Sequence, residues 1–168
     1  MLLLKRIKNW YRRELFIPST LGIFVNPYFL SKRPLAKRFQ EILPQLTGVA
    51  LDFGCGSKPY RELCVNVTKY VGVDIENAGH SHAREQVDFF YDGNTLPFDD
   101  ETFDACLASD VLEHLFDPDL SLREIARVLK EGGRLILNTP FIWVEHEAPT
   151  DASRYTRYGM RYHLEAAG

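Results

Sequence analysis

The chain predicts an α/β domain built on a doubly wound, mainly parallel sheet, and three observations carry that expectation. Short apolar runs rich in β-branched and aromatic residues recur at Val49–Phe53, Tyr70–Ile75, Val87–Tyr91, Phe103–Ser109 and Arg134–Thr139, each of strand length. A helical pattern separates the last two. Asp117 and Pro118 supply an N-cap followed by a first-turn proline, Leu120, Ile125, Val128 and Leu129 give an apolar stripe, and Gly132 and Gly133 are expected to end the helix. Strands alternating with helices call for right-handed crossovers and hence a parallel sheet. Finally, Asp52, Asp74, Asp92 and Ser109 all fall at the carboxyl ends of predicted strands, where ligands of such sheets bind.

The first strand and its turn read VALDFGCGSKPY, Val49 to Tyr60. Glycines reach positive φ without strain and let a ligand approach the main chain, so Gly54 and Gly56 around Cys55 suit a binding turn. The second strand, VGVDI, ends in Asp74, whose carboxylate can accept hydrogen bonds from both hydroxyls of a ribose. Pro59 stands where a dinucleotide fingerprint needs a third glycine. A nucleoside ligand without a pyrophosphate therefore fits better, and a nicotinamide-dependent oxidoreductase is the weaker alternative.

DFGCG, then GVDI, then YDGNTLPFDDETFDACLASDVLEHLFDP together resemble the class I S-adenosylmethionine-dependent methyltransferases, in their small-molecule branch, over roughly Val49 to Gly168. The resemblance implies a Rossmann-like fold with strand order 3-2-1-4-5 and helices on both faces. It also implies S-adenosyl-L-methionine as cofactor and methyl transfer to an oxygen or nitrogen of a small-molecule acceptor such as a sugar, a lipid-linked molecule or a quinone-like compound. On this resemblance Asp52, Gly54, Cys55 and Gly56 lie beside the methionine end of the cofactor. Asp74 with Ile75 holds the ribose, Asp92 with Gly93 reaches the adenine amino group, and Ser109 and Asp110 border the site. In the family a helix like Tyr158–Gly168 is followed by a phenylalanine and two further strands, so a truncated domain is expected. A non-catalytic cofactor-binding or interaction domain is the alternative that follows.

Methyl transfer from a sulfonium is an in-line displacement in which positioning supplies much of the rate, while an oxygen or nitrogen acceptor calls for a base. His146, in the loop after the fifth strand, and His114 are the candidates. Asp110, Glu113 and His114 at i, i+3 and i+4 would share one side of a helical turn and could hold a divalent ion; they resemble the acidic, acidic, histidine triplet of quinone-biosynthesis O-methyltransferases, which implies a metal but has Glu as its first member. The expected roles here are structural: Asp110 starts a helix, Glu113 caps it, and His114 borders the cofactor, with no metal. His80 and His82 lack the carboxylate or cysteine that would complete a metal site and read as loop residues. Arg154, Tyr155, Arg157 and Tyr158 suit either an acceptor clamp or ordinary packing.

At 168 residues, 45% hydrophobic and 26% charged, the chain has the size and composition of a single soluble domain. Three cysteines without metal spacing suit a reducing, cytoplasmic compartment. Residues 1–38 hold nine Lys and Arg against Glu14 alone, leaving the remainder strongly acidic and without a track for nucleic acid. Leu3, Leu4, Ile7, Trp10, Tyr11 and Leu15 share one side of a predicted helix ending near Phe16, flanked by Lys5, Arg6, Lys8, Arg12 and Arg13. A lid helix packed on the domain is the plainer reading, and peripheral membrane contact through residues 1–16 is the other. An irregular connection is expected over Ile17–Lys32 and a second helix over Pro34–Leu46, with Pro34 in its first turn. Residues 1–46 thus form a basic extension to a catalytic domain at 47–168.

Overall fold

The computed structural model describes residues 2–76 and 86–168, so His80 and His82 lie outside the described residues. The chain divides into two compact units, one of Met1–Leu46 with Pro59–Asn66, the other of Thr47–Lys58 with Val67–Gly168.

The first unit holds helix α1 (Leu2–Phe16) and helix α2 (Phe29–Ile42). Their connection is more ordered than its prolines and glycine imply. Asn26 is buried and acts as a clamp: its amide donates to the Glu14 and Leu15 carbonyls at 2.8 and 3.2 Å, and its Oδ1 accepts from the Tyr28 amide at 2.8 Å. The buried Glu14 carboxylate accepts from the Ser19 amide at 2.7 Å, and Ser19 caps a tight helical turn at Thr20–Phe24. Because this clamp launches α2 at Phe29, Pro34 lies inside the helix rather than in its first turn, at the cost of one backbone hydrogen bond. Phe39 packs edge-on against Tyr60 with ring centroids 4.8 Å apart.

Most of the apolar side of α1 is exposed, while Leu15 at its end is half-buried. Leu3 through Arg13 are all exposed, including Leu3, Leu4, Ile7, Trp10 and Tyr11, and Leu21, Ile23, Phe24 and Leu30 after it are exposed as well. No described helix is long and apolar enough to cross a membrane.

The second unit is a five-stranded parallel sheet of order β3-β2-β1-β4-β5, with β1 at Gly48–Phe53, β2 at Val67–Ile75, β3 at Phe89–Tyr91, β4 at Phe103–Ser109 and β5 at Leu129–Asn138. This is the Rossmann-like order that the family resemblance implies. Ala50 through Phe53 are buried in succession, as a central parallel strand covered on both faces requires. Helix α3 (Pro118–Val128) turns Leu122, Ile125 and Val128 into a core with Leu51, Phe53, Val71, Val73, Phe103 and Cys106. Helix α4 (Arg157–Ala167) is capped by Thr156, and His163 Nδ1 lies 2.6 Å from Asp119 Oδ1 of α3.

Several element boundaries differ from expectation, and β2 begins at Val67 rather than Tyr70. Helix α3 ends at Val128, and β5 starts at once, so Gly132 and Gly133 belong to a strand. Leu129 pairs with Phe103 and Arg134 with Ala105, which leaves residues 130–133 opposite Asp104 alone. The glycines make this bulge, with Gly132 at φ +73°, and Lys130 crosses it to Asp104 at 2.8 Å. Strand β3 begins at Phe89 rather than Val87, and the Asp88 carboxylate immediately before it accepts the Gly72 amide at 2.7 Å.

Candidate cofactor and acceptor site

The ends of β1, β2, β3 and β4 bring most of the candidate residues to one rim of the sheet. Gly54 and Gly56 both have positive φ, +67° and +44°, for different reasons. A Cβ on Gly54 would lie 2.4 Å from Val111 Cγ2, so this glycine is demanded by the segment after β4. A Cβ on Gly56 would meet nothing within 4 Å among the described residues. The Gly54 and Cys55 amides donate to Val73 O at 2.9 and 3.1 Å, and the Gly56 amide donates to Asp74 Oδ2 at 2.8 Å. Asp74 Oδ1 accepts from the Ile75 amide at 2.8 Å, so its carboxylate bridges the glycine turn and its own strand end.

Asp52 is buried one strand away and accepts the Tyr70 hydroxyl at 2.8 Å. Burial pushes its pKa up to about 7, against the opposing effects of that hydrogen bond and of the Lys58 charge, while Asp74 pushes the same way as burial. Burial likewise raises the Cys55 thiol, helped by Asp52, which leaves it a neutral packing group. Lys58 is a member of this cluster that sequence reasoning missed. It has φ +53°, is buried, and places Nζ 2.5 Å from Asp88 Oδ2. The one signal was a lysine inside an otherwise small and apolar turn. Tyr70 gave no local signal at all.

Asp92 and Gly93 follow β3 directly. A Cβ on Gly93 would approach Ile75 Cδ1 to 3.1 Å, which places this turn against the end of β2. Asp92 is exposed, and its carboxylate accepts from the Asn94 amide at 2.9 Å and the Thr95 amide at 3.2 Å. These bonds, Asn94 first, hold it below the ordinary carboxylate range. Arg127 of α3 fixes the segment beyond it, donating to Leu96 O and Phe98 O and pairing with Glu124 and Asp100.

After β4 the Ser109 hydroxyl is buried with no hydrogen-bond partner among the described residues. Asp110 has φ +56°, donates its amide to Asn138 O at 2.9 Å and accepts from Asn138 Nδ2 at 2.7 Å. It braces β5 and starts no helix: Leu112–His114 is a single tight turn with the Glu113 side chain fully buried, which corrects the expected helix start and cap. His114 and His146 do come together, with ring centroids 4.8 Å apart at 71°. Burial holds His114 below the ordinary imidazole value, with Glu147 opposing and His146 reinforcing that effect. His146 Nδ1 lies 3.3 Å from Asp151 Oδ2, and Arg154 holds Asp151 far below the carboxylate range.

Residues 51–137 match the family described as Methyltransferase domain. The chain belongs to that family. A demethylmenaquinone methyltransferase of Corynebacterium kroppenstedtii is 47% identical over 73 residues, 42% of this chain and 29% of the relative. Another, from Paenarthrobacter aurescens, is 32% identical over 124 residues, 73% of this chain and 46% of the relative. Among solved structures, a chain of the complex between the Haloferax volcanii Trm112 methyltransferase activator and a methyltransferase superposes with a TM-score of 0.61 at 26% identity, over 79% of this chain and 66% of that one. The methyltransferase domain described here thus spans less than half the length of the two curated relatives.

Proposed function

We propose that this methyltransferase domain binds S-adenosyl-L-methionine on the rim formed by β1, β2 and β3, and serves transfer of its methyl group to a small-molecule acceptor. The observation that carries the reading is the juxtaposition of Gly56, where a side chain would meet nothing within 4 Å among the described residues, with the Asp74 carboxylate 2.8 Å from its amide. The residues present fit the cofactor. Asp74 and Ile75 would take the ribose, Asp92 and Gly93 the adenine, and Asp52, Gly54, Cys55 and Gly56 would flank the methionine part. The orphaned Ser109 hydroxyl and Asp110 would border the same site. When bound, the cofactor supplies an electrophilic methyl carbon on a sulfonium.

His114 and His146 are the groups for the acceptor's proton, since a hydroxyl or amine that takes the methyl must release one. A quinone-like acceptor is favoured within the small-molecule class because the relatives are demethylmenaquinone methyltransferases. A cytoplasmic domain acting on such an apolar acceptor would work at a membrane surface. The exposed apolar side of α1 beside Lys5, Lys8 and Arg12 supports peripheral contact with anionic lipid. No nucleic-acid partner is proposed.

Calorimetry with S-adenosylhomocysteine tests the cofactor assignment. The expected result is binding to the unaltered chain and at least a tenfold loss in Asp74→Ala. Equal affinity of the two chains would refute the placement of the ribose.

A further inference from the structure

Beside the cofactor rim, the turn after β4 and the loop after β5 assemble a group of side chains that the cofactor reading does not use. We infer that Glu113, His114 and His146 form a binding site for a first-row divalent cation. Each offers one ligand atom, and the three atoms lie within 4.8 Å of one another. Glu113 Oε1 is 3.9 Å from His114 Nε2. One carboxylate and two imidazoles is a donor set that suits Zn2+ and its open-shell neighbours rather than Mg2+ or Ca2+. Bonds of about 2.0–2.2 Å in a tetrahedral site place donors roughly 3.3 Å apart, so closure needs side-chain movements of about 1.5 Å or less.

The surroundings have the form of an outer ligand shell. Asp151 Oδ2 engages His146 twice, at 3.0 Å through the backbone amide and at 3.3 Å through Nδ1, which fixes the ring and leaves Nε2 for ligation. Arg154 in turn holds Asp151 through both carboxylate oxygens. Glu147 Oε2 lies 3.8 Å from His114 Nε2 and offers a further oxygen. The two segments are joined independently of any cation. The Glu113 carbonyl accepts from the Ala152 and Ser153 amides at 2.8 and 3.1 Å, and Tyr155 donates to Leu112 O at 3.2 Å. Asp110, which the spacing in sequence would have recruited, is engaged by Asn138 instead.

Such a site keeps open positions for water or for an acceptor oxygen. If the methyl-transfer reading holds, the cation would ligate the acceptor hydroxyl and favour loss of its proton to solvent water, and the two imidazoles would then serve as ligands in place of the proton-accepting role given to them above. Binding of the cation does not depend on that reading.

The test is titration of Co2+, then Zn2+, into the metal-free full chain, followed by visible d–d absorption and calorimetry, with S-adenosylhomocysteine binding measured on every variant. One equivalent of Co2+ is expected to bind, and Zn2+ to displace it. His146→Asn, on a partly exposed loop, should weaken binding at least 100-fold while circular dichroism stays unchanged. Asp151→Asn should cost 10- to 100-fold. Replacing His80 and His82 together by Asn should change nothing. No binding at millimolar Co2+, unaltered binding in His146→Asn, or loss of binding in the His80 and His82 variant would each overturn the assignment. Intact S-adenosylhomocysteine binding in the same samples separates that failure from failure of the cofactor reading.

Discussion

Asp52→Asn isolates the electrostatic cost of keeping a carboxyl group under the glycine turn. Asp52 is buried, and its pKa rises from the ordinary 3.8 to about 7 in the folded chain. A raised carboxyl pKa means that the native state holds a proton the unfolded state has released. Its contribution to stability is therefore complete below about pH 4 and is lost as the pH rises towards 7. The separation between 3.8 and about 7 corresponds to roughly 4 kcal/mol, at about 1.4 kcal/mol per unit. Asparagine has nearly the same shape and can still accept the Tyr70 hydroxyl, but it does not titrate. Urea denaturation of both chains at pH 4.5, 6 and 7.5 should show Asn gaining on Asp by a few kcal/mol across the series, with the change flattening above pH 7.5. A difference that is constant with pH, or that shrinks as pH rises, would refute the burial argument.

Further outcomes follow from the same rim. Gly54→Ala should lower stability by about 3 kcal/mol or more, because strain of about 1–2 kcal/mol at φ +67° adds to a contact of 2.4 Å with Val111. Gly56→Ala, at φ +44° with no described residue within 4 Å of the added Cβ, should cost only about 1 kcal/mol, and thermal melts of the pair check the contrast. Ser109→Ala removes a buried hydroxyl that has no partner among the described residues, so it should leave stability unchanged or raise it by up to about 1 kcal/mol, while weakening S-adenosylhomocysteine binding in calorimetry. Liposome flotation with anionic vesicles should recover the full chain and lose a chain lacking residues 1–16, with the difference fading at high salt; equal partition of both would discard membrane contact.

Most strands were legible because burial imposes a short-range pattern, whereas the sheet order came from the family resemblance. Phe103–Ser109 was readable to the residue, since a run covered on both faces has few ways to be anything but a central strand. The misreadings arose where a tertiary partner overrides a local signal. Pro34 looks like a helix start until the Asn26 clamp begins the helix one turn earlier, and Gly132–Gly133 looks like a helix stop until Lys130 and Asp104 span it as a bulge. The site divides the same way. Asp52, Gly54, Gly56 and Asp74 announce themselves by spacing along two adjacent strands. Lys58 and Tyr70 matter through a buried charge and a hydroxyl that meet Asp88 and Asp52 only in the folded chain. The meeting of His146 with His114 was equally hidden, because 32 residues separate them and only the parallel pairing of β4 with β5 closes that distance.

The bridge that Asp74 makes from Gly56 to Ile75 ties the turn to the end of β2 through the protein's own hydrogen bonds. A guest would find walls already standing and would forfeit little freedom on entry, so encounter should be quick and residence time should carry the differences between competing nucleosides. An amide substitution at Asp74 would then do two things at once: remove an acceptor from the guest and let the doorway sag.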